Sequence, residues 1–268
     1  MKSTKARLIL LCISTFAISL IFTNLSHAEV DPESVVGMWL LDEGKDATAE
    51  DSSGKENDGA LMGEPEWVEG QFGTALKFDG IDDYVSFADT DDLSGGIEKK
   101  MTVVAWFNPS ASGSLCPVVT KYLSAGEKDW GLLVSNTQLR FGYETGGNNW
   151  EMDTPLRGGT IALNTWYHGA FVLDGTDLKM YLDGEEVGAA TLPTETPNSM
   201  AKVEIGGTSY RGDYFNGIID EVGVLNVALT QEDIQNIMER GLESVVGGIA
   251  IEPLSRLSIT WASIKSTK

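Results

Sequence analysis

The sequence predicts an all-β fold, a sandwich of two antiparallel sheets. Short runs rich in β-branched and aromatic residues recur along the chain, and turn signals containing Gly, Asn or Asp separate them at intervals of roughly a dozen residues. Helical periodicity is almost absent. The 268-residue chain is long enough for one large core, because all-β sandwiches commonly reach ~200–250 residues as a single domain.

The N-terminal segment has the three parts of a secretory signal peptide. Basic residues precede an apolar run at residues 8–22, and Ser26-His27-Ala28 places small residues at the two positions that a signal peptidase recognises. The apolar run is shorter than the ~20 residues of a membrane span, and no other stretch approaches that length. We therefore expect cleavage after Ala28 and a secreted protein, or one in the periplasm or at the cell surface.

The charge balance and the cysteine count exclude several classes of function. The formal net charge is −21, which argues against nucleic acid or an anionic membrane surface as a partner. Cys116 is the only cysteine beyond the predicted leader, so no intramolecular disulfide can form there. Stability must come from the core or from a metal, and the acidity suits solubility in salt or cation binding.

The central part of the chain predicts a three-stranded meander. Residues 167–173 and 178–182 are strand-like, and the polar segment 174–177 between them is a predicted hairpin loop. Asp183-Gly184 suits a two-residue type I′ turn, which would return the chain into residues 185–190. The strand 178–182 should therefore pair on both sides.

The other strand candidates share the same composition and the same flanking turn residues. They are residues 36–43, 75–78, 84–87, 101–108, 117–121, 131–135, 138–143, 150–153, 202–205 and 217–226. One short helix is predicted near the C-terminus. Thr230 is a good N-cap, Asp233 occupies the capping-box position, and Gly241 ends the helix.

Short motifs along the chain, taken in order, resemble the laminin G-like jelly rolls of the concanavalin A-like lectin/glucanase superfamily. They are Trp39-Leu-Leu-Asp-Glu, Asp51-Ser-Ser-Gly, Phe78-Asp-Gly-Ile-Asp-Asp-Tyr-Val, Met101-Thr-Val-Val-Ala-Trp, Trp166-Tyr-His, Tyr181-Leu-Asp-Gly and Phe215-Asn-Gly-Ile-Ile-Asp-Glu-Val. The resemblance spans residues 35–242, between the leader 1–28 and a tail 243–268. It implies two stacked, curved sheets with residues 39–43 beside residues 218–222.

Clustered carboxylates make a calcium site the first functional candidate. Asp79, Asp82 and Asp83 share one short turn, and Asp220 and Glu221 form a second acidic pair. Carboxylates with nearby carbonyls are the ligands that Ca²⁺ prefers. Since related jelly rolls often hold calcium at the sheet rim, the resemblance selects Asp79, Asp83 and Asp220. The alternative is that these residues accept backbone hydrogen bonds in turns.

Aromatic residues in or beside Gly- and Asn-rich loops make a carbohydrate site the second candidate, because sugar subsites combine aromatic faces with amide or guanidinium groups. The candidate ligand-binding residues are Trp130, Tyr143, Asn148, Asn149, Trp150, Tyr210 and Arg211, with Tyr214 nearby. The alternative is that these aromatics cap the core, since large aromatics are mostly buried. Trp39, Trp106 and Trp166 lie in the strongest strands and are predicted core residues.

Catalysis has the weakest support. Glycosidases need two carboxylates across the scissile bond, and the Glu-x-Asp-x-(x)-Glu pattern of the related glucanases is absent; Glu151 and Asp153 alternate correctly but lack a third acid. His168, the one histidine after the leader, is expected to make a structural hydrogen bond.

We therefore expect a non-catalytic module that binds a glycan or an extracellular protein. The alternatives are a calcium-stabilised structural or protein-interaction module and, third, a glycoside hydrolase or lyase. In the tail, Leu254, Leu257, Trp261 and Ile264 fit an amphipathic segment. That segment would either pack on the sandwich or be recognised by a partner.

Overall fold

The structure is a computed structural model that describes residues 30–88, 93, 100–121, 130–143, 156–192 and 201–246. Within these ranges it confirms the predicted all-β sandwich of two antiparallel sheets. Their first members are β1 (Val35–Trp39), β2 (Thr48–Ala49), β3 (Gly59–Met62), β4 (Glu66–Glu69), β5 (Thr74–Asp79), β6 (Tyr84–Phe87), β7 (Lys100–Pro109), β8 (Cys116–Lys121) and β9 (Trp130–Ser135).

The second half of the chain supplies the remaining elements. These are β10 (Gln138–Tyr143), β11 (Leu156–Gly158), β12 (Tyr167–Asp174), β13 (Asp177–Leu182), β14 (Glu185–Thr191), β15 (Val203–Ile205), β16 (Gly207–Thr208), β17 (Asp213–Tyr214), β18 (Asn216–Leu225), α1 (Gln231–Arg240) and α2 (Leu242–Val245). The first sheet has the order β14-β13-β12-β7-β18-β5-β4, and β1 also pairs with β18. The second sheet has the order β11-β10-β9-β8-β15-β6-β3-β2, and β16 and β17 form a separate hairpin.

The main core lies between the two sheets. Alternate residues of β7 point into it, including Val103 and Phe107, because successive side chains of a strand leave opposite faces. Phe171 of the first sheet contacts both Trp130 and Phe141 of the second, with ring centroids 5.7 and 4.5 Å apart. These contacts between rings fix the spacing of the sheets.

A second apolar cluster lies on the outer face of the first sheet, under α1. Val104 and Ala170 point away from the main core and pack with Ile234 and Ile237 of the helix. The predicted capping box is present, since Thr230 accepts from the Asp233 N–H and the Asp233 carboxylate accepts from the Thr230 N–H. The predicted helix, with its cap and its end at Gly241, is thus confirmed.

The central meander is confirmed, with one correction. β13 pairs with both β12 and β14, and Asp183 and Gly184 have φ angles of 50° and 74°, as a type I′ turn requires. The prediction of a four-residue loop at 174–177 was wrong. Asp174 and Asp177 are paired residues at the ends of β12 and β13, which leaves a turn of two residues.

The first and last strands of the sandwich are neighbours, as the resemblance implied, but β1 ends earlier than expected. β1 ends at Trp39, which pairs with Val222, and Val35 pairs with Leu225. The predicted strand continued to residue 43. Leu41 instead has a φ of 58°, which an extended strand does not allow, so the chain turns away after Trp39.

Some expectations concern residues outside the described ranges. These are the leader, the strand candidate 150–153 and most of the tail. The start of the tail is described, and it forms the end of α2 and a parallel bridge between Val246 and Val30. No helix among the described residues has the length and apolar character needed to cross a membrane.

Candidate functional site

The β16–β17 hairpin folds back over the outer face of the second sheet and is held there by buried polar groups. Glu204 of β15 points away from the core, and its carboxylate accepts from the Ser209 N–H at 2.7 Å and from the Ser209 hydroxyl. The Thr120 hydroxyl donates to the Gly207 carbonyl at 2.7 Å. Because Glu204 and Thr120 are both buried, these bonds are shielded from water and hold the hairpin firmly.

Tyr210 and Arg211 lie at the tip of this hairpin. The Arg211 and Gly212 N–H groups both donate to the Thr208 carbonyl at 2.9 Å, which closes the turn. The Tyr210 side chain is 58% exposed. The Arg211 Nε donates to Asp213 at 3.0 Å, so the guanidinium has a defined orientation. The structure thus brings together two of the residues predicted to bind a ligand.

A pair of tyrosines lies at the base of this hairpin, where Tyr214 pairs with Gly207. The rings of Tyr84 and Tyr214 lie 5.9 Å apart, and both residues are half-buried. Gly207 leaves room for the pair, since a Cβ there would lie 2.7 Å from the Tyr84 Cβ. We call Tyr84, Tyr210, Tyr214 and Arg211 the tyrosine surface. Sequence reasoning missed Tyr84, although its alternation with the core residues of β6 was a usable signal.

The structure places Trp130 elsewhere, which corrects its predicted role as a sugar platform. Trp130 begins β9, is 2% exposed and packs against Phe171 between the sheets. The adjacent Gly131 suggested a loop, but strand alternation turns this side chain into the core. Tyr143 pairs with Trp130 through the backbone of β10. The predicted ligand residues Asn148, Asn149 and Trp150 lie outside the described residues.

The turn between β5 and β6 brings Asp79, Asp82 and Asp83 together. One carboxylate oxygen from each lies within 4.8 Å of the others, and the three line a pocket of about 510 Å³ with Glu64, Glu66, Lys77 and Gly63. Asp83 also holds the turn, because its two oxygens accept from the Glu64 and Asp79 N–H groups at 2.7 and 2.9 Å. The cluster therefore combines a turn-forming role with a geometry that could hold a cation.

Asp220 does not join this cluster, which corrects the predicted set of three calcium ligands. On β18, Asn216 pairs with Asp79, and Asp220 lies four residues further along, ~13 Å away at the rise of a strand. One Asp220 oxygen accepts from the N–H groups of Gln71 and Phe72 at 2.8 and 2.9 Å. Asp220 is fully buried, and desolvation raises the pKa of its carboxyl to about 7 despite these hydrogen bonds.

The three predicted core tryptophans have different environments. Trp39 is fully buried in the main core, and its Nε1 donates to the Asn57 carbonyl at 2.9 Å. Trp106 is 8% exposed but lies on the outer face of the first sheet, not between the sheets. Trp166 is only half-buried, because it precedes β12 at the edge of that face.

Comparison with known proteins identifies the family. A laminin G-type family model, described as the concanavalin A-like lectin/glucanases superfamily, matches residues 79–235, which is more than half of the chain. The chain belongs to the concanavalin A-like lectin/glucanases superfamily. No curated protein matches the sequence. The family assignment confirms the resemblance that the sequence motifs suggested.

Solved structures share the fold of this superfamily member at low identity. Domain 4 of AbnA, an extracellular arabinanase from Geobacillus stearothermophilus solved with arabinotriose, is 19% identical with a TM-score of 0.61; the match covers 76% of this chain and 98% of that domain. The binding domain of Paraclostridial Mosquitocidal Protein 1 is 11% identical with a TM-score of 0.62, covering 77% of this chain. Trypanosoma rangeli sialidase is 17% identical with a TM-score of 0.59, again covering 77%.

These neighbours include both binding domains and an enzyme, and the likeness shows the fold alone. The match spans 52% of the mosquitocidal binding domain and 32% of the sialidase. This chain therefore spans about half or less of the length of those two chains.

Proposed function

We propose that this chain is an exported, non-catalytic module that binds carbohydrate through the tyrosine surface. The observation that supports this most directly is Tyr210, an exposed aromatic ring on a hairpin held by buried hydrogen bonds. An exposed aromatic side chain on a rigid support offers contact area at little cost in conformational entropy.

The chemistry of the surface suits a sugar. The axial C–H groups of a sugar ring pack on an aromatic face, and its hydroxyls need donors and acceptors in fixed positions. Arg211, oriented by Asp213, supplies such donors beside Tyr210. Tyr84 and Tyr214 add two more aromatic rings with polar phenol groups at the base of the same hairpin.

The solved neighbours support a carbohydrate ligand in preference to a catalytic role. Domain 4 of the arabinanase was solved with arabinotriose, and the match covers 98% of it. The sialidase is a hydrolase, but the match covers only 32% of its chain. The glucanase carboxylate pattern is also absent from this sequence.

A glycan array, probed with the full exported chain in calcium and in chelator, would test this proposal and identify the ligand class. We expect binding to a restricted set of glycans, strongly reduced in Tyr210→Ala. Leu163→Ala is the matched control, since Leu163 is also a large exposed residue and lies before β12 of the other sheet. Equal loss in both variants, or no glycan bound by the wild type, would count against the proposal.

A second candidate, a calcium-stabilised module, is supported by the cluster of Asp79, Asp82 and Asp83 with its oxygens within 4.8 Å. Asp82 is exposed, and its carboxylate could ligate an ion without breaking the turn. Titration calorimetry with calcium on the wild type and on Asp82→Asn would test it. We expect one weak site, Kd ~10⁻⁴–10⁻³ M, that is lost in the variant; binding that persists in Asp82→Asn would place the ion elsewhere.

A further inference from the structure

Three side chains form a row on the outer face of the first sheet: Asp220 in β18, Trp106 in β7 and His168 in β12. Trp106 is the register partner of both of the others, so all three side chains leave the same face. The ring centroids of Trp106 and His168 are 5.3 Å apart. The exposed fractions of Asp220, Trp106 and His168 are 0%, 8% and 1%, so the row is buried although it lies outside the main core.

Aromatic rings and a tight turn enclose this row. The rings of Phe72 and Trp166 lie 6.3 and 6.5 Å from Trp106, both edge-on. Phe72 belongs to the β4–β5 turn, and the N–H groups of Gln71 and Phe72 both donate to one oxygen of Asp220. The row thus connects the β4–β5 turn to the centre of the sheet.

Four polar atoms of the row have no hydrogen-bond partner in the described part of the protein. They are the second carboxylate oxygen of Asp220, the Nε1 of Trp106 and both ring nitrogens of His168. Burial lowers the pKa of His168 to about 3, so its ring is neutral and offers one donor and one acceptor. Since buried polar atoms in proteins are nearly always hydrogen-bonded to protein or water, four such atoms in one row indicate a ligand.

The chemistry of the four atoms selects the ligand. The ligand must accept a hydrogen bond from the Trp106 N–H and donate one to the Asp220 carboxylate. With the neutral ring of His168 it must accept a hydrogen bond from one nitrogen and donate one to the other. A metal cation cannot accept a hydrogen bond from Trp106, and an anion without a proton cannot donate a hydrogen bond to the Asp220 carboxylate. Water both donates and accepts, and buried water molecules typically make about three hydrogen bonds to otherwise unsatisfied groups.

We propose that ordered water molecules bind in this row and link Asp220, Trp106 and His168 into one hydrogen-bonded network. The network joins β18, β7 and β12 through their side chains, in addition to the backbone ladders. It also supports the Asp220 carboxylate that holds the β4–β5 turn. The proposal is independent of the tyrosine surface, which lies on the other sheet.

A crystal structure at about 1.5 Å, from crystals grown in chelator and in calcium, is the direct test. We expect solvent peaks 2.7–3.2 Å from the Trp106 Nε1, from a His168 nitrogen and from the free Asp220 oxygen in both crystals. A map that shows other buried waters but none here would overturn the proposal. So would a peak 2.3–2.6 Å from Asp220 that appears only with calcium, because that distance indicates an ion.

A double-mutant cycle tests the network in solution. Asp220 and His168 are two strands apart, ~10 Å at the spacing of strands. Trp106 lies between them, but His168→Phe keeps an aromatic ring beside Trp106, so without a bridge the two substitutions should be nearly independent. Each substitution changes the unfolding equilibrium constant by some factor. For Asp220→Asn combined with His168→Phe, we expect the factor of the double variant to differ from the product of the two single-variant factors by about threefold or more. The control pair is Asp220→Asn with Val172→Ala, which removes apolar bulk from the same strand as His168. In this pair the factor of the double variant should equal the product of the two single-variant factors. Simple multiplication in both pairs would contradict the network.

Discussion

At the scale of single residues, two adjacent carboxylates hold separate parts of the fold together. Asp220 binds the β4–β5 turn, whereas Glu221 accepts from the Leu242 N–H at 2.9 Å and so holds the start of α2. A bulge in β18 makes this possible, since the register shifts after Asp220 and Glu221 has a φ of 45°. Burial raises the pKa of each carboxyl to about 7.

These two carboxyl groups predict how stability depends on pH. In the folded protein they bind protons more tightly than in the unfolded chain, so their contribution to stability is complete below about pH 4 and is lost as the pH rises towards 7. For one group, a pKa difference of one unit between the folded and unfolded states corresponds to about 1.4 kcal/mol in the free energy of unfolding. We expect the free energy of unfolding to fall by on the order of 3 kcal/mol between pH 5 and pH 8.

Urea denaturation at a series of pH values measures this effect. Asp220→Asn and Glu221→Gln remove the titrating groups, and each should flatten the slope. Wild-type protein that becomes more stable over this range would contradict the assignment, as would an unchanged slope in both variants.

Asp51 is a half-buried polar residue whose substitution should greatly reduce the stability of the fold. One of its oxygens accepts from the Met38 and Ser53 N–H groups, and the other accepts from the Asn57 N–H. Asp51→Ala leaves these donors without their acceptor, and a lost partner of this kind costs ~1–3 kcal/mol. We expect a loss of at least ~2 kcal/mol by chemical denaturation. Asp46→Ala, an exposed position, should stay within about 0.5 kcal/mol; similar losses in the two variants would refute the argument.

At the scale of secondary-structure elements, α1 depends on the meander that it covers. The Gly184 carbonyl accepts from the side-chain amides of Gln231 and Gln235 at 2.8 and 3.1 Å. A Cβ at Gly184 would lie 2.7 Å from the Gln235 Cγ, so the turn and the helix fit closely. The second hairpin of the meander therefore positions the helix on the outer face of the first sheet.

Two glycine substitutions separate backbone strain from this contact. Gly175 and Gly184 have similar φ angles, 65° and 74°, but a Cβ at Gly175 meets nothing within 4 Å. Gly175→Ala should cost ~1–2 kcal/mol, the strain of a left-handed conformation. Gly184→Ala should cost more, and Gln235→Ala should reduce the difference. Equal costs in thermal or urea melts would show that the helix does not press on the turn.

The local elements could be predicted from the sequence because the information that determines them is local. Asp183-Gly184 specified a turn, and Thr230 with Asp233 specified the start of α1. The end of β1 at Trp39 could not be predicted in this way. It depends on Leu41 leaving the strand conformation, a choice that the surrounding tertiary structure imposes on an apolar residue that suits a strand.

The candidate sites were harder to predict, because each depends on contacts between distant parts of the chain. Asp220 looked like a calcium ligand in the sequence, but its partners Gln71 and Phe72 are almost 150 residues away. Trp130 was misplaced because it is followed by Gly131 and lies beside a polar, Gly-containing segment, although strand alternation was available. Tyr210 and Arg211 are consecutive in the sequence, so a loop signal could place them together, while Tyr84 of β6 lies beside the β16–β17 hairpin only through folding.

At the scale of the whole molecule, the net charge of −21 means that salts will stabilise the protein in more than one way. Any salt screens repulsion among surface carboxylates. An ion held by Asp79, Asp82 and Asp83 would add a specific term, because a ligand that binds only the folded state stabilises it. Screening depends on ionic strength and not on which cation is present, whereas binding at the three aspartates depends on the cation.

Thermal melts in chelator, calcium, magnesium and sodium chloride at matched ionic strength separate the two effects. With Kd ~10⁻⁴ M and ~10 mM calcium, binding contributes ~2.7 kcal/mol, which raises Tm by several degrees. We expect this increment in calcium alone and its loss in Asp82→Asn, which breaks none of the backbone hydrogen bonds made by Asp83. Equal shifts in all salts would leave the cluster with its turn-forming role only.

The central claim is that a rigid tyrosine surface on the second sheet binds carbohydrate. Tyr210 provides the exposed ring, and Arg211 provides directed donors whose orientation depends on Asp213. Arg211→Lys is the informative variant, because lysine keeps the charge and loses the planar fork of the guanidinium. It should weaken binding without changing the fold, since the residue lies at a hairpin tip.

The most direct measurement is the affinity of the full chain for the glycan that binds best on an array, determined by titration calorimetry for wild type, Tyr210→Ala, Arg211→Lys and Leu163→Ala. We predict that Tyr210→Ala weakens binding at least tenfold, as expected for ~1.4 kcal/mol or more at a binding hot spot. Arg211→Lys should weaken it by a smaller factor, and Leu163→Ala should leave it unchanged. Wild-type affinity in both Tyr210→Ala and Arg211→Lys, with all variants folded, would contradict the account.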